Sequence, residues 1–426
     1  MTAMRKIHYF DGFSNESDQA IFTLEEDYGA HHYERIRMVV RHAKGCWLTD
    51  DKGKRYLDCL AAYSAANPGH HHATITNAVM DALIGNYASV LSNVVYTDPL
   101  GIFLSEAAKF APQMGARFGN HGNKVLPKNG GVESVETAIK AMRYYGFKAK
   151  KIPDGQQEII VFNNNFHGRT ISAVSFSSSK KYKEGFGPLT PGFVSVEFGN
   201  LEAVEKAITP NTCGILVEPF QGEGGMKIPP KGFLKGLRNL SDANDLLLVC
   251  DEIQVGMGRT GKKFCFEHEN IVPDGVILGK ALSGGLVPLS VFITNAKLMD
   301  MIFSKGSDGS TFGGYPLACV AGTASLKVFE EEHLAEQSAR KGEILKARIE
   351  KIAARSPHVK EVRGKGLFIG IEVKKGNAME FCQKLLTLGV IVNDSHGHTI
   401  RISPPLVINE EEMDFLVARL ETVLVG

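Results

Sequence analysis

A lysine and an aspartate each follow a short apolar run, where the end of a buried strand would present them at one edge of a sheet. Lys280 follows residues 275–279 (Gly-Val-Ile-Leu-Gly) and precedes the small, glycine-containing segment 281–285. Asp251 follows residues 246–250 (Leu-Leu-Leu-Val-Cys). Burial disfavours the charged form of a lysine and frees its amine as a nucleophile. The two residues are therefore predicted to form a reactive site.

An amine and a carboxylate in this arrangement suit pyridoxal phosphate. That cofactor binds a lysine through its aldehyde as a Schiff base, and a carboxylate keeps its pyridine nitrogen protonated. A lysine after a strand is more often a solvated surface residue. The prediction therefore depends on the pairing of Lys280 with Asp251 and on the further motifs below.

Two other segments could hold a flat, phosphorylated ring. Residues 128–132 (Lys-Asn-Gly-Gly-Val) lie between a predicted strand and a predicted helix, so backbone N–H groups at the helix start could bind a phosphate. An ordinary strand-to-helix turn explains these residues about equally well. Phe166 follows another predicted strand and could stack on the ring, although a lone phenylalanine is more often part of a core.

The strands that would position these residues are continuous apolar runs. They are residues 124–126, 158–162, 213–217, 246–250, 275–278 and 289–294. Continuous runs indicate strands covered on both faces, which predicts an α/β fold with a mostly parallel central sheet and helices on each side. Ligands of such sheets bind at the carboxyl ends of the strands. Asp251 and Lys280 fall at such ends.

The length of 426 residues predicts more than one domain. Residues 1–60 are expected to form an N-terminal arm and residues 61–324 a large cofactor-binding domain. A long amphipathic helical stretch at 328–354, followed by strand patterns at 362–372 and 389–392, predicts a smaller α+β C-terminal domain at 325–426.

Composition excludes several classes of partner. Lys+Arg 48 against Asp+Glu 47 gives a net charge of +1, so no global field would attract nucleic acid or an anionic membrane. The seven cysteines are scattered without a C-x-x-C pair, as expected in a reducing compartment. The acidic first 29 residues resemble neither a signal peptide nor a transit peptide, and no apolar run of about 18 residues occurs. A cytoplasmic location is expected.

Two motifs suggest other chemistry only weakly. Residues 256–261 (Gly-Met-Gly-Arg-Thr-Gly) match a dinucleotide fingerprint, but five residues separate them from the preceding strand, and Lys263 stands where a phosphate-binding loop needs Ser or Thr. The run His70-His71-His72 has no carboxylate or cysteine at ligand spacing, so no metal is expected and a surface loop is the better interpretation.

Four spaced motifs resemble the class III pyridoxal-phosphate aminotransferases. They lie at residues 218–223 (Glu-Pro-Phe-Gln-Gly-Glu), 251–254 (Asp-Glu-Ile-Gln), 278–285 (Leu-Gly-Lys-Ala-Leu-Ser-Gly-Gly) and 309–314 (Gly-Ser-Thr-Phe-Gly-Gly). Segments 28–33, 62–64, 166–169 and 399–405 are similar to the ornithine aminotransferases within that class. The resemblance runs from about residue 23 to the C-terminus and implies a fold-type-I transferase.

The resemblance implies a set of residues that bind the cofactor. Lys280 would form the Schiff base and carry protons, Asp251 would pair with the pyridinium nitrogen, and Gln254 would contact the ring hydroxyl. Thr311 would reach the phosphate of the neighbouring subunit, which implies a homodimer with shared active sites. The full set is Gly131, Val132, Phe166, Asp251, Gln254, Lys280 and Thr311.

The resemblance also implies a substrate site. Tyr33 and Arg169 would hold the α-amino and α-carboxylate groups of ornithine, and Tyr63 would shape the pocket. Glu223 and Arg401 would form a switchable pair that opens when a dicarboxylate needs the guanidinium, because arginine binds carboxylates bidentately. The implied reaction moves the δ-amino group of ornithine to 2-oxoglutarate.

Two residues depart from the family pattern. Gly130 stands where a threonine usually precedes the phosphate-binding glycine, and Tyr315 stands where an asparagine usually precedes Pro316. Asparagine followed by proline is a favourable start to a helix, whereas tyrosine cannot cap in that way. A pyridoxal-phosphate protein without turnover is therefore one alternative. The others are a class III aminotransferase acting on acetylornithine, 4-aminobutyrate or lysine, and a nucleotide-dependent enzyme built on residues 256–261.

Overall fold

The computed structural model describes residues 17–426, and its largest sheet has seven strands in the order β4-β10-β9-β8-β7-β5-β6. The strands are β4 (Asn123–Lys128), β5 (Glu158–Phe162), β6 (Phe193–Val196), β7 (Thr212–Val217), β8 (Leu247–Asp251), β9 (Gly275–Leu278) and β10 (Ser290–Asn295). Only β10 is antiparallel to its neighbours, β4 and β9. The predicted, mostly parallel sheet is therefore confirmed.

The central strands are buried along their whole length, as their continuous apolar sequences predict. Every residue of β7, β8, β9 and β10 is buried. Asp251 is the last residue of β8, and Lys280 lies two residues after the end of β9, which is the neighbouring parallel strand. Parallel pairing thus brings both side chains to one edge of the sheet.

Two four-stranded sheets flank the large one, in the orders β1-β2-β3-β13 and β11-β12-β15-β14. Their strands are β1 (Val40–Lys44), β2 (Trp47–Asp50), β3 (Arg55–Asp58), β11 (Val359–Lys365), β12 (Phe368–Val373), β13 (Val390–Ile391), β14 (Asn393–Ser395) and β15 (Thr399–Ile402). Strand β13 pairs in parallel with β3, so the N-terminal segment and the C-terminal region share a sheet.

Helices cover the sheets. They are α1 (Asp18–Tyr28), α2 (Ala61–Ser64), α3 (Ala73–Ile84), α4 (Asp98–Phe110), α5 (Gly131–Lys148), α6 (Ile171–Ser175), α7 (Lys180–Lys183), α8 (Leu201–Ala207), α9 (Phe233–Ala243), α10 (Ala296–Ile302), α11 (Pro316–Glu331), α12 (Leu334–Ala353), α13 (Ala378–Thr387) and α14 (Glu410–Leu424). Among residues 17–426, none of them has the length and apolar character needed to cross a membrane.

The helical stretch expected at 328–354 is two helices. Val328 belongs to α11, and α12 begins at Leu334, because His333 takes a left-handed conformation with φ +50° that interrupts the helix. Helix α11 runs through residue 325, where the small domain was predicted to begin. The domain bounds at 60/61 and 324/325 stay predictions.

The glycine-rich segment 256–261 forms a structural junction. Its Arg259 is fully buried, and its guanidinium donates to the carbonyl oxygens of Leu367 (2.8 Å) and Pro404 (2.6 Å) and to the side chain of Asn67. These acceptors belong to three distant parts of the chain. An arginine buried in this way occupies the centre of the would-be nucleotide loop, which removes the basis for that interpretation.

The histidine run is also structural. Nε2 of His70 lies 2.7 Å from Asp58, and Nε2 of His72 lies 2.8 Å from Glu332. The three residues lie between α2 and α3, where His71 is exposed, as a surface loop predicts, whereas His70 and His72 are half-buried. Each contacts a different carboxylate because neighbouring side chains point in different directions.

We expect Arg259→Lys to lower the thermal unfolding midpoint by several degrees. A single ammonium cannot reproduce the planar set of donors, and each lost hydrogen bond from a charged group is worth about 1.5–3 kcal/mol. Scanning calorimetry checks this, with Arg340→Lys on the exposed face of α12 as the matched control. Equal midpoints for the two variants would contradict the junction role.

Candidate active site

A cavity of about 170 Å³ opens at the carboxyl edge of the large sheet. Six of the seven predicted cofactor-binding residues line it together, namely Gly131, Val132, Phe166, Asp251, Gln254 and Lys280. Its wall also contains residues without a predicted role, namely His167, Gly168, Glu218, Phe220, Ile253 and Val255. The cavity at the strand ends thus has both a carboxylate and an amine in its lining.

The backbone of Lys280 is in a left-handed conformation, with φ +48°. It begins a 3-10 turn, Lys280–Ser283, that closes on Gly284. Strained conformations of non-glycine residues concentrate at functional sites. Burial lowers the pKa of the Lys280 amine, and the charge of Arg401 lowers it further, against the opposing effect of the carboxylates of Glu223 and Asp251. The amine is thus easier to deprotonate than that of an ordinary lysine.

Asp251 is buried and fixed by two donors. The Nδ1–H of His167 donates to its Oδ2 at 2.6 Å, and the backbone N–H of Ile253 donates to its Oδ1 at 3.1 Å. Burial lowers the pKa of His167, but the hydrogen bond to Asp251 and its charge outweigh burial, so the pKa lies above 6.5. His167 was not predicted, although it lies within segment 166–169, which is similar to the ornithine aminotransferases.

Glu218 is a second buried carboxyl in the cavity wall. Its Oε2 accepts the backbone N–H of Phe166 at 2.9 Å, which holds the turn that carries Phe166. Burial raises the pKa of Glu218 to about 8, with a smaller contribution from Asp251, while His167 acts in the opposite direction. Glu218 is therefore largely protonated at neutral pH, and the cavity carries less negative charge than its carboxyl groups suggest.

The opposite end of the cavity is the N-terminus of α5. Glu133 accepts the backbone N–H groups of Asn129 (3.1 Å) and Gly130 (2.6 Å). The N–H groups of Gly131 and Val132, in the first turn of the helix, have no acceptor within the helix. They can bind an anion, and the helix dipole favours one there.

Glycine is not required at position 130. Gly130 has an ordinary extended backbone (φ −74°, ψ 146°), and a Cβ added there would lie 3.6 Å from Glu133. The backbone could thus accommodate the threonine that the family pattern has at this position. The glycine removes a hydroxyl without any packing reason.

Glu223 and Arg401 form an ion pair at the edge of this site. Arg401 is fully buried, and its Nη1 donates to Oε1 of Glu223 at 2.6 Å. The Nε and Nη2 groups of Arg401 have no hydrogen-bond partner among residues 17–426. Burial raises the pKa of Glu223, but the charge of Arg401 outweighs burial and lowers it overall. Gln254 approaches the same carboxylate at 3.5 Å, which links the pair to the cavity.

Tyr63 stands beside Arg401, with its ring centroid 5.2 Å from the guanidinium carbon. It belongs to α2, whose four residues all have positive φ and form a turn of left-handed helix. The side-chain amide of Asn393 donates to the Tyr63 hydroxyl at 3.1 Å. Asn393 was missed because its contact with Tyr63 joins two distant parts of the chain.

Six predicted residues do not line the cavity, and three of them, Tyr63, Glu223 and Arg401, lie at its edge as described above. The other three are exposed. Tyr33 and Arg169 are exposed and contact each other, with the guanidinium carbon 5.6 Å from the tyrosine ring centroid. Thr311 is exposed on a loop that precedes α11. At the start of that helix, Tyr315 makes no side-chain cap, as predicted, and packs edge-on against Phe312 instead.

Comparisons with known proteins agree with this geometry. The family model described as aminotransferase class-III matches residues 28–424. The chain is similar to the ornithine aminotransferase of Bacillus cereus strain 03BB102, at 44% identity over 404 residues that cover 95% of this chain and 98% of that protein. The ornithine aminotransferase of Brevibacillus brevis is also 44% identical, over 94% of this chain and 96% of that protein.

The chain is also similar to solved structures of aminotransferases. The ornithine aminotransferase from Toxoplasma gondii ME49 has a TM-score of 0.92 at 33% identity and covers 98% of both chains. The acetylornithine aminotransferase from Elizabethkingia anophelis has a TM-score of 0.85 at 34% identity, over 96% of this chain and 99% of that one. The predicted fold-type-I architecture is confirmed. The chain therefore belongs to the class III aminotransferases.

Proposed function

We propose that this protein transfers the δ-amino group of ornithine to 2-oxoglutarate, with pyridoxal 5'-phosphate as cofactor, giving glutamate 5-semialdehyde and glutamate. The main supporting observation is the Glu223–Arg401 pair, which lies beside the cavity of Lys280 and Asp251 and leaves two buried N–H groups of the guanidinium unpaired. The names of the similar proteins from Bacillus cereus and Toxoplasma gondii support the same substrate.

The cavity residues fit the cofactor. Asp251 would hold the pyridine nitrogen, Gly131 and Val132 would donate N–H groups to the phosphate, and Lys280 would bind the aldehyde. When bound, the cofactor withdraws electrons from the substrate carbon that loses its proton and carries the amino group between the two half-reactions. Lys280 would move that proton, and its lowered pKa supports this role because a general base must be deprotonated to act.

Phe166 and Gln254 complete the proposed cofactor site. Phe166 and Gln254 both line the cavity, where Phe166 would stack on the ring and Gln254 would contact the ring hydroxyl. A side chain at position 222 would overlap Gln254, and glycine there leaves the amide its place. These contacts would orient the ring against Lys280, so that proton transfer needs little rearrangement.

Arg401 would discriminate between the two substrates. In the ornithine half-reaction Glu223 neutralises it, so the pocket offers no bare cation to a dicarboxylic donor. In the second half-reaction a carboxylate of 2-oxoglutarate would take the free N–H groups bidentately while Glu223 moves away. Tyr33 and Arg169 would hold the α-amino and α-carboxylate groups of ornithine at the mouth of the site, where the two residues already contact each other.

The site would be completed by a second copy of the chain. Exposed apolar side chains at Tyr87, Val94, Tyr96 and Phe312 support a homodimer, because large apolar side chains exposed near one another mark association surfaces. Asn93, in the same segment, donates to the backbone of Ser310 at 2.7 Å, next to Thr311. Thr311 would bind the phosphate held by the partner subunit. All seven cysteines are unpaired and buried, which supports a reducing compartment such as the cytoplasm.

Acetylornithine is the principal rival donor, because one structural relative is named for it. An acetylated α-amine has no positive charge, so it would lose a charged contact that free ornithine can make. Comparison of kcat/KM for ornithine, acetylornithine, 4-aminobutyrate and lysine with 2-oxoglutarate tests the proposal. A higher kcat/KM for any other donor would overturn the choice of ornithine.

Lys280→Ala is expected to bind the cofactor without a covalent bond and to lose at least about a hundred-fold in transamination rate, because it removes both the nucleophile and the general base. Borohydride reduction followed by peptide mass spectrometry should find the cofactor on residue 280 of the parent and on no residue of the variant. Lys297→Ala, at an exposed site on α10, is the control. A labelled peptide elsewhere in the parent would refute the assignment.

Glu223→Ala should shift donor preference from ornithine toward glutamate by roughly ten-fold, because a hydrogen bond between charged groups is worth about 1.5–3 kcal/mol. Single-turnover rates of the two half-reactions measure the ratio. Glu223→Gln, which keeps the shape and loses the charge, should shift it in the same direction, and Glu336→Ala on exposed α12 should not. An unchanged ratio would make the pair only structural.

Glu218 gives a prediction of pH dependence. Its pKa of about 8 in the folded protein exceeds its ordinary value of 4.5, so the folded state binds the proton more tightly and stability falls as the pH rises between these values. Glu218→Gln has no proton to lose. In cofactor-free protein, the thermal unfolding midpoint of this variant minus that of the parent should therefore increase from pH 5 to pH 8. Exposed Glu205→Gln should show no such trend, and a constant difference for Glu218→Gln would refute the prediction.

A further inference from the structure

The substrate pocket contains a polar contact between Tyr63 and Asn393 that has no assigned role. We propose that Asn393 is a positioning residue, which orients the Tyr63 hydroxyl so that it donates a hydrogen bond to the carboxylate bound by Arg401. The proposal rests on the proposed function, because it requires a dicarboxylate to bind at Arg401. It adds a specificity-determining residue to that site.

Strand pairing brings the three side chains together. Asn393 on β14 lies directly opposite Arg401 on β15 in the antiparallel register, so both side chains project from the same face of the sheet. The Asn393 amide reaches the Tyr63 hydroxyl at 3.1 Å, and the Tyr63 ring centroid lies 5.2 Å from the guanidinium carbon. The tyrosine is thus held between the amide and the cation.

The direction of the hydrogen bond determines what Tyr63 can do. The amide nitrogen of Asn393 donates, so the tyrosine oxygen accepts and its own proton stays available. Arg401 cannot accept that proton, because a guanidinium has donors only. Within residues 17–426 the hydroxyl donates to no other group. An incoming carboxylate beside the unpaired Nε and Nη2 of Arg401 is the natural acceptor.

Tyr63 depends on such support because its backbone is strained. It lies in the left-handed turn α2, with φ +57° and ψ +43°. Asp58 holds the beginning of this turn by accepting the backbone N–H groups of Leu60 and Ala61, both at 2.9 Å. Asn393 holds the side chain at the other side. Tyr63 is therefore held through its backbone turn by Asp58 and through its hydroxyl by Asn393.

The test uses glutarate, a dicarboxylate of the same chain length as 2-oxoglutarate that cannot be transaminated. Calorimetric titration of the cofactor-loaded protein gives its Kd. We expect Asn393→Leu and Tyr63→Phe each to raise this Kd by roughly two- to ten-fold, the range for one hydrogen bond. In the Tyr63→Phe background, Asn393→Leu should have no further effect, because both changes remove the same contact. His398→Ala, exposed on the same hairpin, is the matched control.

Turnover gives a second readout that a merely structural role would not produce. Asn393→Leu should raise the KM for 2-oxoglutarate more than it lowers kcat. If Asn393→Leu does not fold, Tyr63→Phe alone decides, and a Kd for glutarate equal to that of the parent overturns the proposal. An undiminished effect of Asn393→Leu in the Tyr63→Phe background also overturns it, as does a parent that does not bind glutarate.

The same data separate this proposal from the choice of ornithine as donor. A parent that binds glutarate, with the expected effects in the variants, but does not transaminate ornithine supports the role of Asn393 and overturns ornithine as substrate. A parent that transaminates ornithine while both variants bind glutarate as the parent does overturns only the role of Asn393.

Discussion

A fully buried guanidinium with a single carboxylate partner is the interaction on which the substrate site depends. Removing two charges from water is expensive, and the attraction of a buried pair repays it only when the remaining N–H groups are also satisfied. In Arg401 they are not, because Nε and Nη2 have no partner among the described residues. Each unsatisfied buried donor costs about 1–3 kcal/mol. The pocket is therefore poised to gain from any ligand that brings oxygen acceptors.

The second constraint is the local charge around the amine of Lys280. Burial and Arg401 favour its neutral form, whereas the carboxylates nearby favour the charged form. Protonation of Glu218 removes one of those carboxylate charges at neutral pH. Asp251 keeps its hydrogen bond to His167. The site thus combines one fixed carboxylate with an amine that loses its proton more readily than usual.

Sequence reasoning located the centre of the site because that part depends on local rules. Asp251 and Lys280 follow continuous apolar strands, and parallel pairing of β8 with β9 brings such ends together. The partners of these residues could not be found in this way. His167 reaches Asp251, and Asn393 reaches Tyr63, across long separations in the chain that no local pattern encodes.

Other differences between the predicted and the observed structure also have physical causes. Strand β6 was missed because Phe193–Val196 is a half-buried edge strand and lacks the full burial that produces a continuous apolar run. The long C-terminal helix was predicted without its break because left-handed His333 has no glycine to signal it. Thr311 lies on an exposed loop, where its predicted function needs a second subunit.

The parallel pairing of β3 with β13 has a consequence for biosynthesis. Leu57 pairs with Val390, so during translation the strand of Leu57 must wait until the distant strand of Val390 has been made. Contacts this distant in sequence form slowly, and an unpaired strand edge exposes backbone groups to other chains in the meantime. The sheet whose Asp58 holds the turn of Tyr63 can close only after Val390 has left the ribosome.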